Sequence, residues 1–187
     1  DSKFGIPLTP DNHAAILRAF QDYPWLNALH AHVGSQGCSL RMLAGGAVAL
    51  TKLADEIDEL VREQRIQTID IGGGLPTNFD SDIMNPTWHE YAQILREEAP
   101  LLFDPAYAHR RILTEFGRAT IAKLGWTASR IEYLKETPFN VVADQDGRNA
   151  HLVGTTKRIA IIHAGSDMFM RTCYVPENFP LRLEAYK

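Results

Sequence analysis

Three short apolar runs, each stopping at a cluster of glycine and polar residues, constrain the fold of this chain more than any other feature. Residues 26–33 run into His30-Ala31-His32-Val33-Gly34-Ser35-Gln36. Residues 67–71 run into Asp70-Ile71-Gly72-Gly73-Gly74, and residues 111–115 into Glu115-Phe116-Gly117-Arg118. Runs this short and apolar read as strands. The segments beside them have helical spacing. Residues 10–22 open on Pro10 and Asp11 and repeat Ala14, Ile16, Leu17 and Phe20. Residues 43–62 set Leu43, Ala47, Leu50, Leu53, Ile57, Leu60 and Val61 on one face, with Asp55, Glu56, Asp58 and Glu59 opposite. Residues 88–103 carry Trp88, Tyr91, Ile94, Leu95 and Leu102 as a core stripe. Helices alternating with short strands predict a parallel α/β architecture.

After Arg118 the pattern changes. Residues 129–135, 140–144, 150–155, 158–163 and 181–186 are β-rich, separated by turn signals such as Pro138 and Asp146-Gly147. The boundary falls near residues 119–128, which divides the chain into an α/β segment, 1–122, and a β-rich segment, 123–187. The length, 187 residues, allows one domain or one and a half. It is enough to bury about 70 % of the surface of the unfolded chain. Cys38 and Cys173 are the only cysteines, which excludes a disulfide scaffold. No apolar run reaches the ~20 residues that a membrane span needs. A net charge of -4 gives no electrostatic basis for nucleic-acid binding.

In parallel α/β proteins, chemistry sits at the carboxyl ends of the strands, where the three clusters lie. Consecutive glycines leave backbone N–H groups open to an anion, and Arg118 and Ser35 are natural phosphate ligands. Gly72-Gly73-Gly74 alone equally describes a tight turn. It is neither a Walker motif, since no Gly-Lys-Ser/Thr follows, nor a Rossmann fingerprint. His30 and His32 alternate and so share a side of a strand. Cys38 is nearby, but no paired Cys/His set completes a ligand shell, and no metal is expected. Glu115 either forms a surface ion pair with Arg118 or faces a site from its strand end. His89 and His109 are expected in solvent, and Trp25, Trp88 and Trp126 in packing roles.

Taken together and in order, Ser2-Lys3-Phe4-Gly5-Ile6, the 30–36 stretch, Asp70-Ile71-Gly72-Gly73-Gly74 and Glu115-Phe116-Gly117-Arg118 resemble the fold-type III, pyridoxal-phosphate-dependent decarboxylases of basic amino acids. The wording of the first two motifs is most similar to diaminopimelate decarboxylase, beside its ornithine and arginine relatives. The resemblance implies an alanine-racemase-like (β/α)8 TIM barrel followed by a C-terminal β domain. It implies pyridoxal 5'-phosphate as cofactor, an amino-acid substrate, a cytoplasmic homodimer with its active site at the interface, and neither nucleic acid nor membrane as partner. The implied reaction is decarboxylation, of meso-diaminopimelate to lysine in the first place. The alternatives are another basic amino acid, a non-catalytic regulatory relative, or a phosphate-binding barrel epimerase.

Residue by residue, the resemblance implies that His32 stacks on the cofactor ring and that Ser35, Gly74 and Arg118 hold its phosphate. Gly72, Gly73 and Gly117 shape the same loops. Glu115 faces the pyridine nitrogen, where a carboxylate keeps the ring protonated and a strong electron sink. The pair Arg171 and Tyr174, after Gly165, resembles the family's grip on a substrate carboxylate, with spacing one residue shorter. Phe116 stands where the family has proline, and His163 where an acidic residue is common. The family's lysine anchor lies on an early barrel strand, and none of Lys3, Lys52, Lys123, Lys135, Lys157 and Lys187 has that context. A full barrel needs about 250 residues. The expectation is therefore a fragment: the later part of the barrel and the start of the β domain, without turnover by itself.

Overall fold

The computed structural model describes residues 3–139, 142–143, 150–151, 155–177, 180 and 182–186. The chain forms two compact units, Asp1–Leu124 and Gly125–Lys187.

In the first unit, helix α1 (Pro10–Asp22) starts where the sequence places it, because the Thr9 side chain accepts the Asn12 N–H and Pro10 suits the first turn. Strand β1 (Ala28–His30) follows, then α2 (Leu40–Val61), capped by the Ser39 hydroxyl on the Met42 N–H and ended by Arg62 in the left-handed region, φ 58°. Next come β2 (Thr68–Asp70) and α3 (Trp88–Glu98), which opens on a reciprocal capping box between Thr87 and Glu90. Strand β3 (Arg111–Leu113) and helix α4 (Gly117–Ile121) complete the unit. The helix expected over 88–103 ends at Glu98. Pro100 lacks the N–H that a further turn would use, so the chain continues in short 3-10 turns at Pro100–Phe103 and Pro105–Tyr107.

The strands form a parallel sheet in the order β1-β2-β3, with His30 beside Asp70 and Asp70 beside Leu113. Each strand is three residues long, shorter than the apolar run that announces it. Yet the pairing continues past them. The Ala31 N–H donates to Asp70 O (3.0 Å), Ile71 N–H to Leu113 O (3.0 Å) and Glu115 N–H to Gly72 O (2.9 Å). The middle residues Leu29 and Ile69 are buried, and they share one core with Leu43, Ala47, Leu50, Leu53 and Ile57 of α2, Tyr91 and Leu95 of α3, and Phe20 of α1. Leu60, expected on that stripe, is half-exposed near the end of α2, past the part of the helix that covers the sheet. Trp25 and Trp126 are also not packing residues: they are 73 % and 88 % exposed. Trp25 stands in the turn after α1 beside Tyr23, and Trp126 in the irregular segment after Leu124.

At the amino end of β3, Arg110 is buried. Its guanidinium donates to Asp55 (2.7 Å) and Asp58 (2.8 Å) of α2 and lies 4.4 Å over the Tyr107 ring. Burial opposes its charge, but the hydrogen bonds and charges of Asp58 and Asp55 outweigh that and hold it above its ordinary pKa. His109, expected in solvent, is half-buried beside Tyr107, with its Nε2 buried and without a partner among the described residues. The reason is its place: it enters β3 next to Arg110, where the chain turns inward. His89 is exposed on α3, as expected.

In the second unit, β4 (Ile131–Phe139) pairs antiparallel with β7 (Thr155–Ile162), and β5 (Val142–Ala143) with β6 (Ala150–His151). Pro138, expected as a turn, lies inside β4 opposite Thr156. A two-stranded ribbon tolerates it because each strand has an open edge. The Asp146-Gly147 signal lies outside the described residues. Residues 182–186, expected as strand, have no regular structure. Leu183 and Tyr186 are 86 % and 84 % exposed, and no described strand pairs with the segment to complete a ladder. Helix α5 (Met170–Tyr174), one turn long, was not foreseen.

Candidate active site

The parallel register brings the three strand-end clusters to one end of the sheet. Asp70, last in β2, is the organiser that sequence reasoning gave no role. One carboxylate oxygen accepts the Gly72 N–H (2.9 Å), turning the chain into the glycine loop. The other meets His30 Nδ1 at 3.0 Å. The next residue of the glycine loop, Gly73, donates its N–H to His32 Nδ1 at 3.3 Å. That bond makes Nδ1 the acceptor and leaves the proton of the neutral ring on Nε2. The two histidines therefore do not act as a pair. Among the described residues, the ligand-type atoms that gather are those of His30, Asp70 and Glu115, within 4.8 Å of one another. They place two carboxylates and an imidazole at the open end of the sheet.

The glycines are there for close approach. A Cβ on Gly72 would stand 2.6 Å from the Ala31 carbonyl oxygen, and one on Gly73 would stand 2.6 Å from that of Glu115. On Gly74, whose φ is +94°, it would overlap the carbonyl oxygen of Gly34. The glycine loop is thus pressed against both of its neighbours. Glu115 and His32 are exposed at this junction, and Arg118, in the first turn of α4, is half-buried. Gln36 is a second residue without an expected role. Its side-chain Nε2 donates to Thr77 O (2.6 Å), and its Oε1 accepts the Thr77 N–H (3.0 Å) and Arg118 Nη1 (3.2 Å). Ser35, between Gly34 and Gln36, is exposed.

Phe116 explains its own departure from proline. Its φ of -74° is one that proline adopts, so the backbone keeps the shape. The side chain is used instead: it packs edge-on against Trp88 (4.8 Å) and Tyr91 (5.7 Å). Burial of Tyr91 pushes its phenol up to about 12. In the second unit, Arg171 and Tyr174 are three apart on α5 and share a helix face, both exposed. His163 meets Glu132 at 3.0 Å.

These features suit a flat, phosphorylated ring. The glycine loop admits no Cβ at Gly72, Gly73 or Gly74, the Thr77 hydroxyl is buried with no partner among the described residues, and the side chains gathered at the strand ends comprise an imidazole, a carboxylate, a hydroxyl and a guanidinium. The class defined is a parallel α/β unit that gathers a glycine loop and polar side chains at its strand ends. The chain belongs to the pyridoxal-dependent decarboxylases: residues 1–122 match the family's pyridoxal binding domain, and the cofactor is pyridoxal phosphate. It is 34 % identical to the diaminopimelate decarboxylase of Vibrio cholerae, over 73 % of this chain and 31 % of that protein. It is 33 % identical to a biosynthetic arginine decarboxylase of Alkalilimnicola ehrlichii, over 65 % of this chain and 20 % of that one. The fold is that of the diaminopimelate decarboxylase of M. jannaschi, with a TM-score of 0.70 at 20 % identity, covering 94 % of this chain and 36 % of that structure. The chain thus spans about a third or less of the length of these curated relatives. Among the described residues no helix is long and apolar enough to cross a membrane.

Proposed function

We propose that the protein carrying this chain decarboxylates an amino acid, with meso-diaminopimelate as first substrate and lysine as product. The observation that carries the reading is the junction at which the 30–36 stretch, the glycine loop and Glu115 meet. Bound pyridoxal phosphate supplies an electron sink for the pair left behind when carbon dioxide departs. His32 would lie against the ring. Ser35, Gly74 and Arg118 would hold the phosphate, on loops shaped by Gly72, Gly73 and Gly117. Glu115 would hold a proton at the pyridine nitrogen, since an opposite charge at hydrogen-bond distance favours the protonated ring. Arg171 and Tyr174, on one helical turn, would grip a substrate carboxylate, Arg171 bidentately. The barrel, the β domain, the division at residue 122, a homodimer with a shared active site and a cytoplasmic setting all belong to this proposal.

The likeness to arginine decarboxylases favours arginine as the second reading. Carbon dioxide release from meso-diaminopimelate, lysine, ornithine and arginine by the complete protein decides between them. Release from none of the four, with cofactor bound, would leave the non-catalytic reading. Glu115→Gln is expected to lower the rate by about 100-fold or more while pyridoxal phosphate still binds. Unchanged activity in that variant would remove Glu115 from the mechanism.

A further inference from the structure

We propose that Gln36 is a positioning residue: its single carboxamide ties three strand-end loops together and fixes the Arg118 guanidinium for a phosphate. This rests on the cofactor reading given above. The two bonds to Thr77, N–H donated one way (2.6 Å) and accepted the other (3.0 Å), imitate a rung of a sheet between side chain and backbone. Thr77 lies in the loop that begins at Gly72, and that loop already touches the Gln36 loop at Gly74 and Gly34. The two loops are therefore held at two separate points. Arg118 comes from the third loop and donates to the same Oε1 that takes the Thr77 N–H. A carbonyl oxygen has two lone pairs, and these two donors account for both.

The consequence for anion binding follows from the chemistry of arginine. A guanidinium recognises phosphate through a planar fork of N–H groups, so the orientation of its plane sets how well it binds. A long side chain loses rotamer freedom when it grips a ligand. With Nη1 engaged by Gln36, Arg118 is oriented beforehand. Gln36 is half-buried and lies 82 residues from Arg118. It acts through Arg118 and not as a ligand itself.

The test uses the complete protein stripped of cofactor and titrated with pyridoxal phosphate and, separately, with pyridoxal, which lacks the phosphate. Wild type is expected to prefer the phosphorylated form. Gln36→Ala is expected to weaken pyridoxal phosphate about tenfold and to change pyridoxal affinity less than twofold. Gln36→Met, which keeps the bulk and loses the bonds, should do the same and serves if the alanine variant folds poorly. Adding either change to Arg118→Ala should cost nothing further, because Gln36 works through Arg118. Equal loss for both ligands, no loss for either, or an additive double variant would overturn the proposal. A wild type that binds the two forms equally would instead overturn the phosphate reading of the site.

Discussion

The two ends of the three-stranded sheet are built on opposite principles. At the amino end, charge is buried and paired: Arg110 lies between Asp55 and Asp58 under 10 % exposure, stacked on Tyr107, with both terminal nitrogens bound and its Nε without a partner among the described residues. At the carboxyl end, Glu115 and His30 are exposed, and the buried positions are glycines whose backbones touch. One end spends its polar groups on itself. The other leaves Glu115 exposed and uses closeness of backbone for rigidity. In parallel α/β proteins the amino face serves stability and the carboxyl face serves chemistry, and the contrast here gives that division a residue-level form.

The contrast can be broken at its strongest points first. Gly74→Ala forces a Cβ into the Gly34 carbonyl at a left-handed φ. It is expected to cost about 4 kcal/mol in denaturant unfolding, and what folds should bind pyridoxal phosphate poorly. Arg110→Ala strands two carboxylates at the other end. It is expected to cost about 3 kcal/mol, yet the folded fraction should bind the cofactor as wild type does. If Arg110→Ala weakened the cofactor as Gly74→Ala does, the two ends would not be separate. Phe116→Pro keeps the backbone angle and loses the aromatic contacts with Trp88 and Tyr91. A loss of about 1 kcal/mol is expected, measured by thermal denaturation.

The smallest effect is on pH. The Thr87 backbone N–H, then its hydroxyl, hold Glu90 below the usual carboxylate range. A depressed folded pKa gives stability that is complete above the ordinary carboxylate value and is lost as pH falls through the depressed one. The difference in melting temperature between wild type and Thr87→Ala should therefore shrink on acidification.

Much of this was legible in the chain, and the reasons are local. Helix α1 starts at its cap, because Thr9 and Pro10 act within one turn. The strand ends and their clusters were visible because glycine and charge interrupt apolar runs. Helix 88–103 was read too long, since the stripe continues through Leu102 although Pro100 ends the hydrogen bonding. Helix α4, five residues opened by Gly117, offers too few turns for a period to show. Gln36 and Asp70 were in view, but their work was not. Gln36 reaches partners 41 and 82 residues away, and no spacing rule carries that information. Trp25 and Trp126 were read by residue type alone, and type does not decide burial.

The ladder bonds beyond the strands, at Ala31, Ile71 and Glu115, have a dynamic consequence. Loops that carry chemistry usually belong to the least protected parts of a protein, where amides exchange with solvent through small local openings. Here the first steps of each loop are tied to the neighbouring loop or strand in the pattern of the sheet itself. Their amides can exchange only when the rungs beside them open, so the floor of the site shares the timescale of the sheet.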